Sequence, residues 1–367
     1  GLFRQLGFQR LCASSWQVFF YGGAVLSKTT RVLFAVVACA FVVTQAPAQD
    51  AAAPSVTVGG GLRAGASWGD GDDNYGLNNV RLYINGTVGP ASIEVNTESS
   101  ADGSELGATI LDAVAKLSVS DSVNLWVGRF LAPSDRANLS GPYYGNVGND
   151  HARASSFYMN GNQQAGRDDG VAVWGNIGGD MNLKYQVGIF DGAEADDQML
   201  AGRLVLNLWD DEDGYYNAST YYGEKQILAI GLSYQDGPGS GGGGNEDAVA
   251  IDVLVEKTIE MGTVTLDAAW YDNSDSDDYP ISVFVGLLMN GETTVGPLKG
   301  RLRPYIRYVS DGSSRKDGDG DAYVSDEWAV GVQHVIDGHN ASITLEYSDV
   351  DHEEGGSTFG IGAQFQF

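Results

Sequence analysis

Apolar residues alternate with small or polar ones along most of the chain, in segments of about ten residues separated by clusters of Gly, Asp, Asn and Ser. A period of two sends successive side chains to opposite faces of an extended strand, and no window sustains the 3.6-residue period of an amphipathic helix. Sixteen such segments are present, near 56–68, 76–88, 91–98, 108–119, 122–130, 170–178, 181–190, 200–209, 226–235, 248–258, 263–272, 281–289, 300–309, 327–336, 340–349 and 357–367. In the last one, Phe359, Ile361, Ala363, Phe365 and Phe367 share one face, and Thr358, Gly360, Gly362, Gln364 and Gln366 share the other. An apolar outside and a polar inside, repeated an even number of times, predict an all-β fold: a closed transmembrane antiparallel β-barrel of about 16 strands.

The connections give a second sign. Val88-Gly89-Pro90, Ser120-Asp121-Ser122, Gly178-Gly179-Asp180 and Asp337-Gly338-His339 are tight, while the connections between them are longer. Short periplasmic turns and long external loops alternate in this way. Residues 210–225 break the rule, being long on the short-turn side; either that turn is elaborated or the register slips there. The spacing Gly362-x-x-Phe365-x-Phe367 resembles the signal by which the outer-membrane assembly machinery recognises its clients, with Phe365 and Phe367 as its aromatic members.

The start reads differently. Lys28 and Arg31 precede the apolar run Val32–Val43, and Ala46-Pro47-Ala48 follows it, so residues 26–48 are expected to be a secretory signal peptide cut after Ala48. Residues 1–25 show no pattern and are expected to be a non-native upstream extension. Residues 49–367 would then be the barrel. That part has no cysteine, because Cys12 and Cys39 both precede it, so disulfides and cysteine metal sites are excluded from it. It holds 17 of the 21 basic residues and all 48 acidic ones, a net charge of −31, which excludes nucleic acid as a partner. No later segment is long and apolar enough to span a bilayer as a helix.

The charge is unevenly placed. The expected external connections outside 131–169 carry 26 acidic residues against Arg315 and Lys316, an acidic rim. Strand parity instead sends Arg63, Arg81, Lys116, Lys184 and Arg203 inward, together with Glu94, Asp112, Asp252, Glu256, Asp267 and Glu346. Within 300–309 the alternation leaves Arg301, Arg303, Tyr305 and Arg307 on the lumen side. Pore lining is therefore expected from Arg63, Arg81, Lys184, Arg203, Arg301, Arg303, Arg307, Glu94 and Glu346. Trp68, Trp126, Trp209, Trp270, Tyr271 and Trp328 lie near strand ends and read as interfacial aromatic girdles.

Several strings, Val127-Gly128-Arg129-Phe130-Leu131-Ala132-Pro133-Ser134-Asp135-Arg136, Gln186-Val187-Gly188-Ile189-Phe190-Asp191-Gly192, Arg303-Pro304-Tyr305-Ile306-Arg307-Tyr308 and 336–347, resemble the phosphate-selective porin family (porins O and P). That resemblance implies a trimeric barrel whose third external loop, here 131–169, folds into the pore, and an arginine-lined route for anions such as phosphate. Strongly acidic loops and few lysines set this chain apart from that family. In this loop and at the strand end that leads into it, Arg129, Asp135, Arg136, Asp150 and Arg153 would either form a ring of fixed charge at a constriction or pack the loop against the wall through ion pairs.

No catalytic or metal constellation emerges, and no cofactor is expected. Asp317-Gly318-Asp319-Gly320-Asp321 begins like a calcium loop but has Ala322 where the turn needs Gly. His151, His334, His339 and His352 lack metal spacing. The expected function is passive diffusion of small hydrophilic solutes and ions through the outer membrane of a Gram-negative bacterium, with membrane lipid and lipopolysaccharide, the assembly machinery and two further copies in a homotrimer as partners. The rivals are a structural sheath around an electron-transfer protein and an outer-membrane barrel hydrolase.

Overall fold

The structure is a computed structural model, and it describes residues 53–69, 73–99, 108–147, 166–178, 182–192, 198–238, 245–273, 279–310, 315–316, 322–323, 326–351 and 356–367. The segments expected to be a leader and an upstream extension lie outside these, as do Asp150, Arg153, His151 and 317–321.

Alternation becomes architecture in a single antiparallel sheet that closes on itself. Its strands are β1 (Ser55–Gly69), β2 (Asn74–Val88), β3 (Ala91–Ser99), β4 (Ala108–Ser120), β5 (Val123–Leu131), β6 (Arg167–Ile177), β7 (Asn182–Phe190), β8 (Met199–Asn207), β9 (Ile227–Pro238), β10 (Asn245–Ile259), β11 (Gly262–Asn273), β12 (Ile281–Met289), β13 (Glu292–Val295), β14 (Leu298–Ser310), β17 (Asp326–Asp337), β18 (Ala341–Asp351) and β19 (Ser357–Gln366), with a two-stranded ribbon of β15 (Arg315–Lys316) and β16 (Ala322–Tyr323) beside it. Successive staves pair antiparallel, including β12 with β14 and β14 with β17, and β1 pairs with β19 from Gly61 opposite Gln366 to Gly69 opposite Thr358. Short β13 forms a hairpin with β14 in line with β12, so the barrel has sixteen staves. The connection 290–299, which falls between two of the alternating segments of the sequence, is thus partly strand.

Side chains alternate across the wall as the pleat requires. In β14, Pro304 and Ile306 are exposed on the outside while Arg303, Tyr305 and Arg307 are buried inside. Around the circumference the outward positions form an apolar belt that includes Leu62, Leu82, Ile93, Val127, Val171, Leu204, Leu232, Ile251, Val285, Ile306, Val330, Leu345 and Ile361. Monomeric soluble proteins rarely expose so much contiguous apolar surface; a barrel wrapped in lipid does.

The interior is partly a packed core. Val114, Trp126, Phe130, Leu131, Ala132, Leu139, Ala172, Phe190, Met199, Ala201 and Tyr215 form one buried cluster on the β4–β8 side of the lumen. Trp126 and Tyr271 are therefore not girdle residues. Both face inward, Trp126 stacked on Tyr215 at 4.4 Å between centroids and Tyr271 donating its hydroxyl to Asp135 at 3.0 Å. The reason lies in the neighbours: Val127 takes the outward position beside Trp126, and Tyr215 covers the indole from inside.

Candidate functional site

Two segments enter the barrel from opposite ends and meet. From the long-loop end, 132–147 carries the helix α1 (Arg136–Tyr144), N-capped by Asp135, whose carboxylate accepts from Asn138 N at 3.2 Å. From the short-turn end, residues 208–226 between β8 and β9 fold back inside; this is the connection whose length broke the alternation. The segments interlock through Arg136, which donates Nη1 and Nη2 to Glu212 at 2.6 and 2.7 Å and Nη1 to the Ala218 carbonyl at 2.7 Å. Ser140 and Ser219 hydroxyls meet at 3.1 Å, Ser219 N donates to Tyr144 O at 3.0 Å, and Tyr215 OH donates to Leu131 O at 2.8 Å.

Each segment is also fixed to the wall. Glu256 on β10 accepts from Thr220 Oγ1, Tyr221 N, Gly223 N and Thr265 Oγ1 at 2.7–3.0 Å, so this buried carboxylate is satisfied by hydrogen bonds. Lys184 donates to the Glu212 and Gly214 carbonyls at 3.3 and 3.1 Å. Burial would raise the Glu212 carboxyl, but the charge and hydrogen bonds of Arg136, aided by Lys184, hold it down at about 2. Asp135 goes the other way: burial, with the charge of Asp252 behind it, pushes its carboxyl up to about 6.

Far from its cap, α1 reaches the opposite wall. Gly141 interrupts it with φ 57° and ψ −167°, a region open essentially to glycine, and Pro142 follows. This break lets Tyr143 lie on β1, where a Cβ at Gly61 would stand 2.7 Å from the Tyr143 ring. Arg81 sits over the same ring at 5.3 Å and Tyr83 meets it edge-on at 6.4 Å. Gln364 donates to Tyr143 O at 3.0 Å, and His339 lies between the Tyr143 and Thr220 carbonyls at 3.1 and 2.9 Å. Burial pushes the His339 imidazole below its usual range despite those two carbonyls.

On either side of Tyr143 the lumen opens. The loop-end chamber, about 600 Å³, is lined by Arg63, Asn78, Asn79, Gln333, Thr344 and Glu346 among others. The turn-end chamber, about 620 Å³, is lined by Arg81, Tyr83, Glu94, Asn96, Tyr216 and Asn217 among others. Open space thus lies along β1–β4 and β17–β19, while the interlocked segments fill the β5–β12 half.

This division decides where the expected residues fall. Arg63 and Glu346 border the loop-end chamber, and Arg81 and Glu94 the turn-end one; Arg81 is paired with Glu98 and Glu94 with Lys116. Lys184 and Arg203 face inward but lie under the interlock, with Arg203 donating to Asp252 at 2.8 Å. The arginines of β14 form no free ladder: Arg307 pairs with Glu327 and Glu346 at 2.6 and 2.8 Å, Arg303 donates to Asn146 at 2.8 Å between the rings of Tyr222 and Phe284, and half-buried Arg301 donates to the Tyr222 carbonyl at 3.2 Å. Asp135 and Arg136 are fully buried and border neither chamber, so theirs is the geometry of loop packing. Arg129 is outside the lumen: it shares the face of exposed Val127 and pairs bidentately with Asp169 across the outer surface at 2.8 and 2.7 Å. Phe365 is outward and exposed, and Phe367 N and O exchange hydrogen bonds with Gly60 at 3.0 and 3.1 Å. Sequence reasoning missed Glu212, Asn96 and Asn217, and it reached Tyr143 only as a member of the loop 131–169 expected to enter the pore; the unusual length of 208–226 pointed toward Glu212 and Asn217.

The chain matches no family model and no curated protein. Solved structures do resemble it. OprB of Pseudomonas putida superposes with a TM-score of 0.60 at 10% identity, covering 86% of this chain and 94% of that one. OmpT, an outer membrane protein of Vibrio cholerae in a trimer form, gives 0.53 at 14%, covering 86% and 100%, and a mutant Rh. blastica porin gives 0.52 at 12%, covering 85% and 100%. The fold is that of the sixteen-stranded outer-membrane porin barrels.

Proposed function

We propose that the chain forms a passive channel through the outer membrane of a Gram-negative bacterium, admitting small hydrophilic solutes and ions. One observation carries this reading: an exposed apolar belt surrounds a closed barrel whose inner space holds two chambers, one on either side of Tyr143, with charged and amide side chains on the walls of both. Diffusion through such a path needs only a wetted lumen. Residues 26–48 act as the signal peptide and the barrel assembles as a homotrimer, in keeping with the trimer form of the Vibrio cholerae neighbour. The sheath reading loses support because two segments cross the lumen where a partner protein would have to pass.

Preference for inorganic phosphate is the finer question, and the geometry argues against a strong one, since Arg303 and Arg307 are already engaged. The test is planar-bilayer recording of residues 49–367 refolded in detergent. Stepwise conductance in KCl is expected, with little block by phosphate. A bilayer that stays silent would overturn the channel; block at low phosphate would restore the anion reading and place it at Arg301 or Arg63.

A further inference from the structure

One side chain touches both of the segments that enter the barrel. His339 sits in the tight turn between β17 and β18, its ring wedged between those of Tyr144 and Tyr222 at 5.0 and 4.9 Å between centroids. Its backbone carbonyl accepts from Gln364 and Gln366 at 2.6 and 3.0 Å, which fixes the turn to β19. The two ring nitrogens face one segment each. Nδ1 lies 3.1 Å from the Tyr143 carbonyl of α1, and Nε2 lies 2.9 Å from the Thr220 carbonyl of 208–226. Residues beside these carbonyls line both chambers, Pro142 and Tyr222 the loop-end one, Tyr144 and Tyr221 the turn-end one. The imidazole thus pins the partition between the chambers.

A carbonyl oxygen only accepts, so both contacts are hydrogen bonds only while both ring nitrogens carry a hydrogen, which is the imidazolium state. A neutral ring has a single N–H, and its other nitrogen turns a lone pair on a carbonyl oxygen. The Tyr143 contact is the one to give way, being the longer and having a second donor in Gln364 at 3.0 Å. Burial pushes the imidazole below its ordinary 6.5 and Arg303 on β14 adds to this, while the two carbonyls and Glu256 on β10 oppose it. The hydroxyls of Tyr143, Tyr144 and Tyr222 are all raised by burial and stay protonated through neutral pH. Asp337, in the same turn, is exposed and accepts from Asn340 instead. Because the Tyr143 carbonyl strengthens the ring's hold on its second proton, linkage requires that proton to strengthen the Tyr143 contact. We propose that His339 is an acid-closed latch: as imidazolium it ties α1 to 208–226 and keeps the passage between the chambers narrow, and on losing a proton it frees α1 and widens the passage. This rests on the channel reading.

The experiment is single-channel recording of residues 49–367 in KCl between about pH 5 and 7.5, with isotopically labelled histidine nitrogens followed by NMR over the same range. His339→Gln identifies the signals by their loss, and its amide does not titrate. The wild-type ring is expected to carry hydrogens on both nitrogens at the acid end and on Nε2 alone at the neutral end. With that change, the ratio of time in the lower conductance level to time in the higher one falls about tenfold, the factor one hydrogen bond from a charged donor contributes. His339→Gln loses this fall, and any smaller response it keeps belongs to Asp135. A ring with one hydrogen at every pH, wild-type levels indifferent to pH, or an equal response in His339→Gln each overturns the latch and leaves the channel standing. A silent bilayer overturns the channel and the latch with it. Should His339→Gln fail to fold, the wild type decides alone, because a conductance change whose midpoint no histidine shares overturns the latch.

Discussion

Arg136 shows how a charge in a pore loop serves packing instead of permeation. Its guanidinium is shared between Glu212 at 2.6 Å and Asp252 at 3.5 Å, all three fully buried. Removing one member of a buried pair leaves the others uncompensated, at a cost of about 3–5 kcal/mol. Arg136→Ala is therefore expected to loosen 132–147 from 208–226, seen as faster proteolysis within the loop and larger, noisier single-channel currents. The two displaced carboxyls set a pH window. Glu212 is held below its ordinary 4.5, so its contribution is present above that value and fades as pH falls toward 2; Asp135 is raised above its ordinary 3.8, so its contribution is lost as pH rises through about 6. Current noise should be least near pH 4, where the Glu212 contribution is nearly complete and that of Asp135 is still nearly whole, and should grow as the pH falls toward 2 or rises toward 6; a flat profile would remove both groups from control of the loop. None of this was legible residue by residue. Arg136 and Arg129 look alike in sequence, yet one is the buried clamp and the other an outward pair with Asp169, a distinction that parity beside Val127 carried for Arg129 and nothing local carried for Arg136.

At the scale of elements, β14 and β19 were readable because one face is apolar and the other is not. Strand β5 is apolar on both faces, so alternation could not correct the girdle reading that Trp126 took from its place near a strand end; its inner face packs on Tyr215, more than eighty residues on, which no local pattern announces. Helix α1 had no helical period to betray it, being nine residues long and broken at Gly141. That break is testable. A side chain in the Gly141 conformation costs about 1–3 kcal/mol, so Gly141→Ala should turn Tyr143 away from β1 and raise the conductance severalfold with the barrel intact on heat-modified gels. An unchanged conductance would show that Tyr143 does not bound the path.

The whole molecule depends on its ends meeting. Pairing of β1 with β19 converts an open sheet into a barrel without edges, and its last contacts are Leu62 opposite Phe365, Gly61 opposite Gln366 and the exchange between Phe367 and Gly60. Deleting 365–367 should abolish the heat-resistant folded band in detergent, whereas a deletion that still folds would show that the remaining pairs suffice. Closure was the most legible property of the sequence, since sixteen alternating segments leave few other solutions; the filling of the lumen was the least, because it joins segments far apart in the chain. That filling also splits the circumference into two halves with different exposure to change. A substitution under the interlock, from β5 to β12, would register first in a folding assay and reach traffic only by loosening the interlock, whereas an inward side chain on β1–β4 or β17–β19 away from the closing seam would register first in conductance. Transport properties in this barrel can therefore drift or be redesigned along one side of the wall without putting the scaffold at risk.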